Sequence, residues 1–184
     1  TEGSLTTYTF NVSPGATYNI SNTTSGTGAF FMPATFNNSG TVNWNGTAQQ
    51  RTASGSATFN NLAGGQFNIQ NNAVWDTGGG IGAITFNNQA GATVTKTSAG
   101  TSSFTENITF NNNGGTLTIV AGTLDFAGTG GLNMTAGTLT GAGNLAITSS
   151  LVWSGGSITG SGINGLGTLA VSTAVDASAI SVNI

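Results

Sequence analysis

Apolar side chains alternate with threonine and asparagine in short runs along most of this chain, and glycines punctuate the runs. Alternation with a period of two over four or five residues marks a half-buried strand. The runs are of two kinds. The first opens on Thr-Phe, at Thr9, Thr35, Thr58, Thr85 and Thr109, with intervals of 26, 23, 27 and 24 residues. At Thr35, Thr58, Thr85 and Thr109 it continues as Thr-Phe-Asn-Asn. The second follows a corner and a glycine. Its inward pairs are Tyr18 and Ile20, Val42 and Trp44, Phe67 and Ile69, Val94 and Lys96, and Leu117 and Ile119. Its outward residues are Thr17 and Asn19, Thr41 and Asn43, Gln66 and Asn68, Thr93 and Thr95, and Thr116 and Thr118.

A repeat in the twenties that leaves no room for a helix between copies is the mark of a coil in which each turn is one repeat. The prediction is an all-β fold: a single-chain parallel β-helix, or β-solenoid, of seven or eight turns of about 25 residues, a rod of roughly 35 Å. Phe10, Phe36, Phe59, Phe86 and Phe110 should stack inside, one strand spacing apart. Asn38, Asn61, Asn88 and Asn112 then point inward at the next corner. Their amides can bond to one another up the axis, as in stacked asparagine ladders, or serve only as turn formers. Lys96 does not suit a narrow core. Either its strand ends at Thr95 or the lysine reaches out through the corner.

A third side, including Ala73 to Trp75, Ser103 to Glu106 and Gly122 to Phe126, absorbs the differences in length. Past residue 120 the phrase becomes Gly-Thr-Leu, at Gly122, Gly137 and Gly167, with Gly156-Ser157-Ile158 as a relative. The chain therefore reads as one solenoid domain over 1–184, regular over 1–120 and looser over 121–184. Leucine in place of phenylalanine predicts a thinner core there. Pro14 and Pro33 fall beside corners. The C-terminal stretch from Ile180 to Ile184 is itself a strand pattern without a charged cap, so the ends should be covered by further turns or by another subunit.

Composition narrows the function. Only 4% of residues are charged, while 30 glycines and 10 phenylalanines accompany abundant Asn and Thr. Such a chain has enough apolar material to fold and meets water with amides and hydroxyls. Arg51 and Lys96 are its only cations, against Glu2, Asp76, Glu106, Asp125 and Asp176. Two cations cannot track a nucleic acid backbone, and no apolar run is long enough to span a bilayer as a helix. The chain contains no cysteine, so disulfides and thiolate metal sites do not arise.

No catalytic, cofactor-binding or metal site is expected. A glycosidase needs two carboxylates facing one bond, but Asp76, Glu106, Asp125 and Asp176 fall at scattered points of the repeat. The chain has no histidine to act as a base, and Lys96 has no nucleophile assigned beside it. Trp44 belongs inside by alternation. Trp75 and Trp153 are expected to be buried, although an exposed tryptophan could stack on a sugar. The Asn-x-Ser/Thr triplets at Asn11, Asn19, Asn22, Asn37, Asn45, Asn107 and Asn133 follow from composition alone. A flat threonine plate able to meet ice would need more than the rows at Thr93, Thr95, Thr116 and Thr118, which break at Gln66 and Asn68.

The phrases Phe36 to Val42 and Gly122 to Gly128 resemble the repeats of large bacterial surface and autotransporter-type adhesins and hemagglutinin-like exoproteins. The resemblance implies a right-handed β-helix, secretion to the cell surface or beyond, and a long shaft in contact with host, neighbouring cells or matrix. It supplies no catalytic residues. The expected function is that of a structural and adhesive segment of an extracellular fibre, self-associating end to end or laterally, or meeting neutral glycans. The alternatives are a carbohydrate-binding or carbohydrate-active β-helix, or a phage tail fibre or spike segment, trimeric in the last case.

Overall fold

The computed structural model describes residues 8–24, 35–51, 56–78, 82–159, 168–171 and 175–176. Strands β1 (Thr9–Val12) and β2 (Thr17–Ile20) open the coil. The next turn holds β3 (Thr35–Asn38), β4 (Thr41–Trp44) and β5 (Gln50–Arg51). It is followed by β6 (Ala57–Asn61), β7 (Gln66–Ile69) and β8 (Val74–Asp76), then by β9 (Ile84–Gln89), β10 (Thr93–Lys96) and β11 (Thr101–Phe104). In the next two turns one long strand bends through the corner: β12 (Ile108–Ile119) precedes β13 (Thr123–Phe126), and β14 (Leu132–Gly141) precedes β15 (Asn144–Ile147). Then come β16 (Leu151–Trp153), β17 (Ser157–Thr159), β18 (Thr168–Val171) and β19 (Val175–Asp176). Pro33, Gly167 and Ile180 to Ile184 lie outside the described residues.

Every strand pairing among the described residues is parallel, each strand bonding to its equivalents one turn below and above. The connections wind in a right-handed sense, as almost all parallel crossovers do. Three sides result. The first and second merge into one 13-stranded sheet because β12 and β14 run through the corner, and the third is a separate six-stranded sheet. About six turns are complete among the described residues, where seven or eight were expected of the whole chain. The repeat spacing narrows from 27 residues between Asn60 and Asn87 to 22 between Asn111 and Asn133.

The alternation sorts side chains as predicted. In β3, β4, β10 and β13 every second residue is buried and its neighbours are half-buried. The phenylalanines pair in register, Phe36 with Phe59 and Phe59 with Phe86. Their rings stack at 4.6, 4.5 and 4.7 Å from Phe36 through Phe110, tilted by no more than 12°. Offset stacks of this kind add roughly 0.5–1.5 kcal/mol per pair beyond area burial. Leu132 and Leu151 continue the column above Phe110, buried like the rings below them. Phe10 joins the same column, in register with Phe36 and packed on Phe36 and Tyr18, but as the lowest described member it is 41% exposed and not enclosed like the others.

The other two sides fill the space in front of this stack. Phe67 meets Phe59 edge-on at 5.2 Å, and Trp75 meets Trp44 edge-on at 5.3 Å. Trp44, Trp75 and Trp153 are all buried, so none offers a sugar platform. At Gly65 and Gly115 a side chain is sterically excluded. A Cβ on Gly65 would lie 2.7 Å from Asn61 Oδ1, and one on Gly115 would strike the amide of Asn88. Glycine follows the corner because the inward asparagines occupy the space behind it.

Candidate functional site

Polar groups in this coil line up along the axis instead of converging on a point. The inward asparagines form a ladder. Asn38 Nδ2 donates to Asn61 Oδ1 at 2.8 Å, Asn61 to Asn88 at 3.0 Å and Asn88 to Asn112 at 2.8 Å. Each amide also donates to a backbone carbonyl across the corner, of Gln66, Thr93 and Thr116 in turn. Asn112 ends the series on the carbonyls of Gly115 and Ala136, because Met134 takes the next place in the column. All four asparagines are fully buried, a situation tolerable only because both ends of each amide are used.

A second ladder runs on the outside of the first side, and sequence reasoning missed it. Asn37 donates to Asn11, Asn60 to Asn37, Asn87 to Asn60, Asn111 to Asn87 and Asn133 to Asn111, all at 2.8–3.0 Å. Its signal was the first asparagine of each Thr-Phe-Asn-Asn phrase, recurring in the same register as the second. A shorter outer ladder on the second side joins Asn68 to Asn43 and Asn43 to Asn19. The two outer ladders donate toward the N-terminus, while the inner one donates toward the C-terminus.

The carboxylates do not meet. Asp76 is buried at the end of β8, where its Oδ1 accepts from Gly78 N at 2.8 Å and its Oδ2 accepts from Gln49. Glu106 turns a corner with a φ of 57° and accepts from both the backbone N–H (2.9 Å) and the hydroxyl of Thr77, one turn below. Asp125 faces outward on β13, between Ser103 below and Ala146 above. Ser103 Oγ donates to it at 3.4 Å, its other oxygen is buried without a partner, and burial pushes its carboxyl pKa up. Two turns, roughly 10 Å, separate Asp76 from Asp125 along the axis. Trp75 points to the opposite side of the wall from Asp125, so these three residues form no cleft. The side chain of Asp176 lies outside the described residues. Among the described residues no group of three or more His, Cys, Asp or Glu could hold a metal ion, and no helix is long and apolar enough to cross a membrane.

Lys96 departs from both readings offered for it. The strand includes it, in register with Ile69 and Ile119, and its side chain is fully buried. Its ammonium turns into the corner and donates to Ser98 O at 2.8 Å and to Ser98 Oγ at 2.6 Å. Ser98 Oγ in turn donates to Asn71 O, which also accepts from Ser102 Oγ at 2.6 Å. Desolvation lowers the lysine pKa to about 8. A serine beside a low-pKa lysine has the composition of a base and nucleophile. Here the lysine donates, and the hydroxyl proton is already committed to Asn71. The arrangement works as a clamp that gives a buried cation its hydrogen bonds. Lys96-x-Ser98 was the spacing that could have revealed it.

No family model, curated protein or solved structure matches the chain.

The second side changes character along its length. Its outer columns pair Thr17 with Thr41, Thr41 with Gln66, Gln66 with Thr93, Thr93 with Thr116, Thr116 with Thr138 and Thr138 with Ser157. Two residues along each strand, Asn19, Asn43 and Asn68 give way to Thr95, Thr118, Thr140 and Thr159. The Gly-Thr-Leu phrases that look alike in sequence therefore separate: Thr138 continues the second side, whereas Thr123 and Thr168 stand on the third.

Proposed function

We propose that this chain is a stiff structural and adhesive segment of an extracellular fibre or surface adhesin, the role implied by the resemblance of its Phe36 to Val42 phrase. The observation that supports it is the axial arrangement of its polar groups. Buried amides bond from turn to turn, and outer amides do the same, while Asp76, Glu106 and Lys96 are spent on corners. A coil built this way gains length and rigidity with each turn. Its uncharged faces can approach like surfaces or neutral glycans without repulsion, each contact contributing about 1 kcal/mol and strength coming from number. The carbohydrate-cleaving alternative has no observation in its favour, since Trp75, Asp76 and Asp125 do not converge. Secretion to the cell surface belongs to the same proposal.

Beads coated with the purified chain test it. The expected result is clustering of beads with one another, or with glycan-coated beads, with almost no change between low and high salt, because few ion pairs exist to be screened. Beads that stay dispersed, or clusters that dissolve at high salt, would overturn the adhesive reading.

A further inference from the structure

We infer that the upper part of the second side is an ice-binding surface, formed by the threonine grid of four successive turns. Thr93 and Thr95, Thr116 and Thr118, Thr138 and Thr140, and Ser157 and Thr159 stand in two columns in unbroken register. All eight face outward, half-buried or exposed. The inference goes beyond the structural and adhesive reading and does not depend on it.

Spacing is the first argument. Neighbouring strands are roughly 4.8 Å apart and alternate residues of one strand roughly 6.7 Å apart. The oxygen repeats on a prism face of ice lie within an ångström of these two distances. A parallel coil in register repeats such a net from turn to turn.

Hydrogen-bond availability is the second argument, independent of the first. Asparagines in the outer ladders use their amides on each other. Corner threonines use theirs inside the protein: Thr129 Oγ1 donates to Asn107 at 2.6 Å and Thr135 Oγ1 to Asn113 at 2.9 Å. The hydroxyls of Thr93, Thr95, Thr116, Thr118, Thr138 and Thr140 make no hydrogen bond with the described residues. They are rigid, because β-branching restricts χ1, and each carries a methyl beside its hydroxyl. The grid contains no charge to hold a disordered hydration shell and no aromatic ring to stack on a sugar. Ordered water is the ligand that matches unpaired hydroxyls at lattice spacing.

The experiment is growth of ice from a solution of the intact chain, with three readouts: the fraction of protein taken into the ice, the shape of single crystals, and the gap between melting and freezing. The expected result is incorporation, faceted crystals and a measurable gap. Replacing Thr116→Tyr and Thr118→Tyr at the centre of the grid should remove most of all three, while Thr58→Tyr on the first side should leave them unchanged. Gln66→Thr with Asn68→Thr adds a fifth row and should widen the gap relative to the parent chain. Circular dichroism confirms that each variant is folded. Exclusion of the parent chain from ice would overturn the inference. So would folded Thr116/Thr118 variants that enter ice as well as the parent, or a fifth row that leaves the gap unchanged. Pelleting with crystalline cellulose or chitin combined with exclusion from ice would assign the grid to a polysaccharide and overturn it equally.

Discussion

Asn61 donates through Nδ2 to Asn88 Oδ1 at 3.0 Å, across 27 residues of sequence and one turn of coil. It also accepts from Asn38 below, so it holds the middle of the buried ladder. Asn61→Ala should therefore cost about 2–4 kcal/mol, the sum of two stranded amide ends and a small cavity. Urea unfolding of the variant and the parent measures it. Asn112→Leu should cost a similar amount, because the bond from Asn88 is lost and the carbonyls of Gly115 and Ala136 lose their donor.

The outer ladder should be worth far less. Asn60 makes the same two kinds of amide bond, to Asn37 and from Asn87, but at a half-buried position where water can replace either partner. Asn60→Ser is expected to lower stability by about 0.5 kcal/mol or less. A loss as large as that of Asn61→Ala in the same urea assay would show that the outer amides carry the coil.

Lys96 gives the protein an alkaline dependence. Its pKa falls to about 8 in the fold because burial disfavours the ammonium. Between there and the unfolded value of 10.5 the unfolded chain binds more protons, so stability rises with pH across that window and is lowest below it. The two bonds to Ser98 offset part of the desolvation, so the effect should be about 1–2 kcal/mol. Lys96→Met should raise the urea midpoint at pH 7 and flatten the rise between pH 8 and 10. An unchanged slope in the variant would mean that another group titrates there.

Asp125 acts in the acid range with the opposite slope. Burial raises its folded pKa, so the folded protein holds the proton more tightly than the unfolded chain, and stability falls as pH climbs through and above the unfolded value of 3.8. Asp125→Asn should remove that fall and make the protein slightly more stable at neutral pH, by a few tenths of a kcal/mol, about what a partly exposed charge allows. Thermal melts from pH 3 to 7 test both points.

Much of this was legible because identical residues recur in register. Phe36, Phe59, Phe86 and Phe110 announced both the period and the inward face, and the second asparagine of each phrase offered the buried ladder beside a plain turn-forming role. The outer ladder was equally present in the first asparagine, but an exposed amide looks like ordinary surface until a copy stands one strand spacing away. Lys96 was misread because a lysine in an inward place is costly taken by itself, and its relief comes from Ser98 around the corner. Thr138 and Thr140 could not be joined to Thr116 and Thr118 by phrase alone. Gly122-Thr123-Leu124 and Gly137-Thr138-Leu139 are locally the same, and only corner lengths decide which side each occupies.

The inner asparagine ladder binds each turn only to its immediate neighbours, and this has a mechanical consequence. Tension applied between the two ends of the coil loads one interface at a time, and the outermost turn should peel away before the next is strained. Each peeling step would release about 23 residues, roughly 80 Å of slack. A filament of such turns would dissipate a sudden pull in a staircase of small, separately recoverable failures, with the remaining turns still wound.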